Sequence, residues 1–133
     1  MVKHLSASSP KLTAFRTPSS NEELFQNING NPRIAIPPNW TSLGANCISG
    51  TTPYGQDTLV IPPNIATIES NGISVINVKF IDFSQHISIP TLVASTSIST
   101  LPDYTIIQVP NALYATWITE PNWVLLADYI VGV

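Results

Sequence analysis

Charge is scarce in this sequence. Only 10% of its 133 residues are Asp, Glu, Lys or Arg, against about 25% in an ordinary globular domain. Surface charge is what normally keeps a monomer apart from its neighbours. So little of it points to an exterior that an assembly covers, or to one coated with Ser, Thr, Asn and Pro. Residues Ala94 to Thr100 run for a whole stretch without a charge. Cysteine is nearly missing as well. Cys47 stands alone, which excludes an intramolecular disulfide and leaves the framework to core packing. Its neighbours Ala45, Asn46, Ile48 and Ser49 carry no base, so it reads as a small buried hydrophobe and not as an activated thiol. Long apolar runs are also wanting. Trp123 to Val133 is the most apolar stretch and is interrupted by Asp128, well short of the ~18 residues of a membrane span. No apolar h-region follows Met1-Val2-Lys3-His4-Leu5-Ser6, so the expectation is a protein made in a cytoplasm.

The residues of chemistry are thin too. There are two histidines, His4 and His86. Asp82, Ser84 and His86 alternate, which in a strand lines one face without assembling a triad, and no Gly-x-Ser-x-Gly elbow is present. His86 is expected as a partly exposed edge residue. One cysteine and two distant histidines make no metal set, and neither an Asp-x-Asp-x-Asp-Gly loop nor a Gly-rich phosphate loop occurs. The expectation is a protein that is not an enzyme and needs no cofactor or metal. Asn39-Trp40-Thr41 matches a glycosylation acceptor by chance.

What is present is a gradient of charge. Lys3, Lys11, Arg16 and Arg33 are four of the five basic residues, while Asp57, Glu69, Asp82, Asp103, Glu120 and Asp128 face Lys79 alone in the remainder. Four spread cations fall short of the dense patch that binds nucleic acid; they suit an arm lying along an acidic protein surface. Residues 1–20, with Pro10, Pro18 and several serines, have too little apolar surface to offset their ordering entropy alone. Leu5, Leu12 and Phe15 are its natural anchors. Ser20-Asn21-Glu22-Glu23 fits a capping box, and Leu24, Phe25 and Ile28 share a helical face before Asn29-Gly30 and Pro32. The reading is an arm (1–20), a short helix and hinge (21–33), and a β domain (34–133).

The β domain is written in β-branched and aromatic runs: Thr58 to Ile61, Ile73 to Phe83, Thr91 to Ile98, Tyr104 to Val109, Leu113 to Thr119 and Trp123 to Val131. In the longest run Ile76, Val78 and Phe80 share a phase that Ile81 and Phe83 break, which suggests a bulge at Phe80-Ile81. About seven short strands favour a β-sandwich or partly open barrel. Ile36-Pro37-Pro38-Asn39 echoes Ile61-Pro62-Pro63-Asn64, and Pro-Asn returns at Pro110 and Pro121. These read as similar sheet corners, with the 25-residue spacing of the echo not sustained as a repeat. Trp40, Trp117 and Trp123, with Tyr54, Tyr104, Tyr114 and Tyr129, suit either a carbohydrate platform or packing; two of the tryptophans follow Pro-Asn corners, which favours packing.

A weakly basic arm, a charge-poor Ser/Thr/Asn/Pro-rich β body and no catalytic constellation together resemble the small decoration (cement) proteins of tailed-bacteriophage capsids. The resemblance is one of type. It implies a virion protein on the capsid exterior, present in several copies, that bridges neighbouring capsid subunits. Lys3, Lys11 and Arg16 would then pair with acids of the major capsid protein, with Leu5, Leu12 and Phe15 seated in grooves. No nucleic acid or membrane partner is implied. The alternatives are a structural protein of a phage tail or baseplate, and a carbohydrate-binding β-sandwich module.

Overall fold

The computed structural model describes residues 25–28, 31–50, 56–75 and 77–133. Twelve strands lie among them, each of two to four residues. Strands that short are marginal in isolated pairs. Ten of them instead pair in parallel with the strand roughly one circuit of chain further on. Strands β3 (Ser42–Leu43), β6 (Thr67–Ile68) and β9 (Thr91–Leu92) make one face. The second face is β4 (Ile48–Gly50), β7 (Ile73–Val75) and β10 (Ile98–Ser99). The third is β5 (Thr58–Val60), β8 (Phe80–Asp82), β11 (Ile106–Val109) and β12 (Ile130–Gly132). The chain thus winds as a solenoid, visiting three faces per rung.

The chain is mainly β, as its composition implies, but these parallel pairs are not the antiparallel sheets of the expected sandwich. The Ile-Pro-Pro-Asn echo is a true structural period. Trp40 N–H donates to Pro37 O and Ile65 N–H to Pro62 O, both at 3.1 Å, so the two copies form the same corner on successive rungs. A second corner occurs three times, closed by Cys47 N–H to Gly44 O, Gly72 N–H to Glu69 O and Ser97 N–H to Ala94 O. The period escapes the eye because loops between faces differ in length. Ser42 faces Thr67, and Ile48 faces Ile73, at a spacing of 25, whereas Thr58 faces Phe80 at 22.

Only the inward positions keep their character. Leu43, Ile68 and Leu92 stack in one column, Ile48, Ile73 and Ile98 in a second, and Leu59, Ile81, Ile107 and Ile130 in a third. All are buried. Stacked rungs lie about 4.8 Å apart, so like side chains meet like and the core runs unbroken along the axis. Where the second corner turns inward, Cys47, Gly72 and Ser97 are all small and buried. A Cβ at Gly72 would lie 2.7 Å from Ile68 Cγ2 and 3.0 Å from Glu69 O. Cys47 accordingly sits in the core as the small apolar residue it was read to be.

Four local expectations change. Phe25–Ile28 (β1) is not helical but pairs antiparallel with Asn31–Ile34 (β2). Asn29-Gly30 is as good a hairpin link as a helix stop, and a two-turn helix is marginal by itself. The capping residues Ser20 to Glu23 lie outside the described residues. The run Ile73 to Phe83 is two strands on different faces, so its change of phase marks a corner and not a bulge. Leu113 to Thr119 is no strand: a 3₁₀ turn at Asn111–Leu113 runs into a single-turn helix α1, Tyr114–Trp117. Trp123–Tyr129 is likewise 3₁₀, and only Ile130–Gly132 is extended. Leu113, Tyr114, Trp117 and Ile118 fall at helical spacing, and Trp123, Leu126 and Tyr129 at the spacing of three that suits a 3₁₀ turn; all seven pack on the core.

The corners use left-handed backbone at Asn46, Asn71, Asn122 and Gly50, residues that tolerate it, and at Thr100, with φ of 63°, which does not. A β-branched residue there costs about 1–2 kcal/mol. Replacing Thr100 by Asn is expected to raise the melting temperature by roughly 4 °C for a gain of about 1 kcal/mol, read by thermal circular dichroism. An unchanged or lower melting point would mean that the Thr100 hydroxyl, bonded to Ser74 Oγ and Ser99 Oγ, outweighs the backbone cost.

Candidate functional site

A solenoid needs its ends closed, because the terminal rung exposes both apolar core and unpaired backbone. At the C-terminal end the closure is an aromatic cluster. The chain leaves β11, turns through α1 and the 3₁₀ segment, and returns as β12 beside β11. This detour lays Trp117 and Trp123 against Phe83. Ring centroids are 5.7 Å apart for Phe83–Trp117 and 5.3 Å for both Phe83–Trp123 and Trp117–Trp123, all edge to face. Such pairs contribute about 0.5–1.5 kcal/mol each beyond burial. Trp123 Nε1 donates to Pro90 O at 2.7 Å, and Asn122 Nδ2 to Leu92 O at 2.8 Å. The carbonyl just before the last strand of the first face and that of the strand's final residue are thereby paired with side chains where a further strand would have lain.

At the other end a side chain again replaces backbone. Gln56 Oε1 accepts from Ile34 N–H, and Gln56 Nε2 donates to Ile34 O, each at 2.9 Å. One amide thus matches both polar groups of the last residue of β2, tying the hairpin to the first rung.

His86 belongs to the cap. It is buried, not a partly exposed edge residue. Strand β8 ends at Asp82, whose Oδ1 accepts Ser84 N–H at 2.7 Å. The turn carries the His86 ring inward, 5.2 Å from Phe83 and 6.2 Å from Trp117. Its Nε2 lies 3.2 Å from Ile65 O, while Nδ1 is buried with no hydrogen-bond partner. Burial lowers its pKa from 6.5 against the opposing pull of the Ile65 and Phe83 carbonyls and Asp82. The alternating Asp82, Ser84 and His86 therefore do not converge: the carboxylate caps a turn, and the imidazole faces carbon.

All three tryptophans are inside the protein, so none offers a face to a sugar ring. Tyr104 is exposed, and Tyr54 lies outside the described residues. Among the described residues, no three His, Cys, Asp or Glu side chains gather to hold a metal ion, and no helix is long and apolar enough to cross a membrane. The arm residues Lys3, Leu5, Lys11, Leu12, Phe15 and Arg16 lie outside the described residues.

The outward positions carry hydroxyls and amides that bond between rungs. Ser70 Oγ meets Thr96 Oγ1 at 2.8 Å, Ser99 Oγ donates to Asn71 Oδ1 at 2.9 Å, and Asn64 Nδ2 donates to Pro38 O at 3.0 Å. The third face is different: its outward residues include Val60, Phe80, Ile106 and Val131, with Val60 and Val131 exposed. Lys79 Nζ lies 4.0 Å from Asp57 Oδ1 with both side chains largely in solvent, a pair that contributes little.

No family model matches the chain, and no curated protein or solved structure is significantly similar to it.

The two cap tryptophans should differ under substitution. Trp123→Phe removes the donor to Pro90 O and is expected to cost about 1–3 kcal/mol. Trp117 Nε1 has no acceptor, so Trp117→Phe should cost less. Urea denaturation followed by circular dichroism ranks them, and the reverse order would contradict the assigned role of the Pro90 bond.

Proposed function

We propose that this chain is a structural accessory protein that docks on a viral particle and reinforces its shell by bridging neighbouring capsid subunits. The observation that carries the reading is the division of charge, with four of five basic residues in the first quarter and six of eight acids from Asp57 onward. A cationic, apolar-studded leader seeks an acidic surface, and the body behind it is a stack of short strands with a continuous core. A rod of this kind transmits load through nearest-neighbour rungs and presents flat faces to whatever it lies against. The buried aromatic and imidazole groups are occupied in closing the stack, a structural use of the residues that an enzyme or a lectin would turn outward.

In this reading Lys3, Lys11 and Arg16 pair with acids of the major capsid protein, and Leu5, Leu12 and Phe15 fill grooves. Several copies on one shell add their interfaces by avidity. Binding the assembled shell and not its free subunits stabilises assembly by linkage. A place in a phage tail or baseplate rests on the same charge division and differs only in the protein bound. Carbohydrate binding has lost the tryptophans that motivated it.

The test begins with particles purified from the source of the chain, in which the protein should be found by mass spectrometry. A variant lacking residues 1–20 should keep the circular dichroism of the body yet sediment apart from the particles. Absence of the intact protein from particle fractions, or equal attachment by the truncated form, would overturn the reading.

A further inference from the structure

Besides the Cys47 thiol, His86 is the one buried titratable side chain among the described residues, and the proposed docking makes no use of it. It occupies the joint between the third-rung corner and the C-terminal cap. On the rung side, its ring faces the Ile65 carbonyl from the corner of the rung before. On the cap side it meets Trp117 of α1, which itself packs on Trp123. A carbonyl oxygen only accepts, so the contact with Ile65 O puts the proton of the neutral ring on Nε2. The lone pair of Nδ1 then points into buried surroundings without a donor. An added proton goes to that atom. The charge it brings lies among Phe83, Trp117 and the aliphatic core, where burial disfavours it. The Phe83 carbonyl, which accepts the His86 backbone N–H at 3.0 Å, favours the charged ring together with the Ile65 carbonyl, but burial outweighs them. Asp82 is the one charged group that acts on the ring; the cap's own acids, Glu120 and Asp128, do not.

We infer that His86 makes the C-terminal cap an acid-released closure: uptake of a proton at Nδ1 expels the ring from beneath Trp117, and residues 111–133 lift from the third rung. The inference rests on the packing of the cap and not on the docking role proposed above. Release is local because each rung contacts only its neighbours, so the first two rungs stay folded. It frees Pro90 O and Leu92 O, which Trp123 and Asn122 otherwise occupy, and so opens the edge of β9 to a partner strand.

The sign follows from burial. The closed state disfavours the charged ring, so its pKa there lies below 6.5, the value to which an opened ring returns. Closure is fully supported above pH 6.5, weakens as pH falls through the interval down to the lowered value, and levels off beneath it.

The test is peptide-level hydrogen exchange of the full chain between pH 8 and pH 5, corrected for the intrinsic pH dependence of exchange, in a His4→Gln background. Exchange of residues 111–133 should accelerate by up to about tenfold per pH unit below 6.5, while residues 42–50 and 56–75 keep their protection. His86→Gln retains an amide donor for Ile65 O and cannot titrate, so its cap should show no such acceleration. The same pH response in both proteins, or opening of every rung together, would overturn the inference. Should His86→Gln fail to fold, the His86 Cε1 proton resonance of the intact ring decides. A midpoint below 6.5, shared with the cap amides, supports the closure, and one at or above 6.5 refutes it.

Discussion

Parallel pairing between successive rungs is the constraint from which the rest of this structure follows. Strands of two to four residues offer at most a few ladder bonds each, and none would persist alone. Winding brings each against a copy of itself one circuit later, so that Ile48 meets Ile73 and Ile73 meets Ile98. Burial and backbone pairing then reinforce each other. A residue that leaves the column opens a void against two neighbours, not one, which explains why the inward positions are almost wholly Ile, Leu and Val while the corners drift freely.

Such a stack has ends, and much of the unusual chemistry of the chain is spent there. Gln56 closes the polar groups of Ile34 at one end. Trp117, Trp123 and Asn122 close the last rung at the other. Aromatic rings suit this task because a single side chain covers the cross-section of a rung, and an indole N–H can pair with a carbonyl at its rim. A histidine in that setting is uncommon: it takes the place of a hydrocarbon ring yet carries a protonation equilibrium into the joint.

The low charge of the sequence takes on a second meaning in the fold. Ser70 and Thr96, Ser74 and Thr100, and Ser99 and Asn71 bond to one another across rungs. Side chains of this size satisfy each other at rung spacing, whereas stacked like charges would repel along the axis. A hydroxyl surface is therefore one that a solenoid tolerates well. Partner coverage, as the capsid reading has it, acts on the same surface and accounts in addition for the basic leader.

The β class, the corner role of the two Pro-Pro-Asn segments, the burial of Cys47 and the packing role of the tryptophans were legible in the residues, because each depends on local conformation or on hydrophobicity; Pro110-Asn111 and Pro121-Asn122, read as like corners, instead lead into 3₁₀ turns. The helical stripe of Leu113, Tyr114, Trp117 and Ile118 was also present but masked by its β-branched neighbours. Strand partnership was not legible: a run such as Ile73-Ser74-Val75 has the same pattern whether it pairs with the next strand or with one 25 positions away, and unequal loops hid the period. Nor did the spacing of Asp82, Ser84 and His86 disclose that the strand stops at Asp82 and turns the imidazole into the core. Local sequence determined which residues seek the interior and where the chain bends; which rung they meet there was decided only by winding, since pairing energy is collected between segments that no local pattern connects.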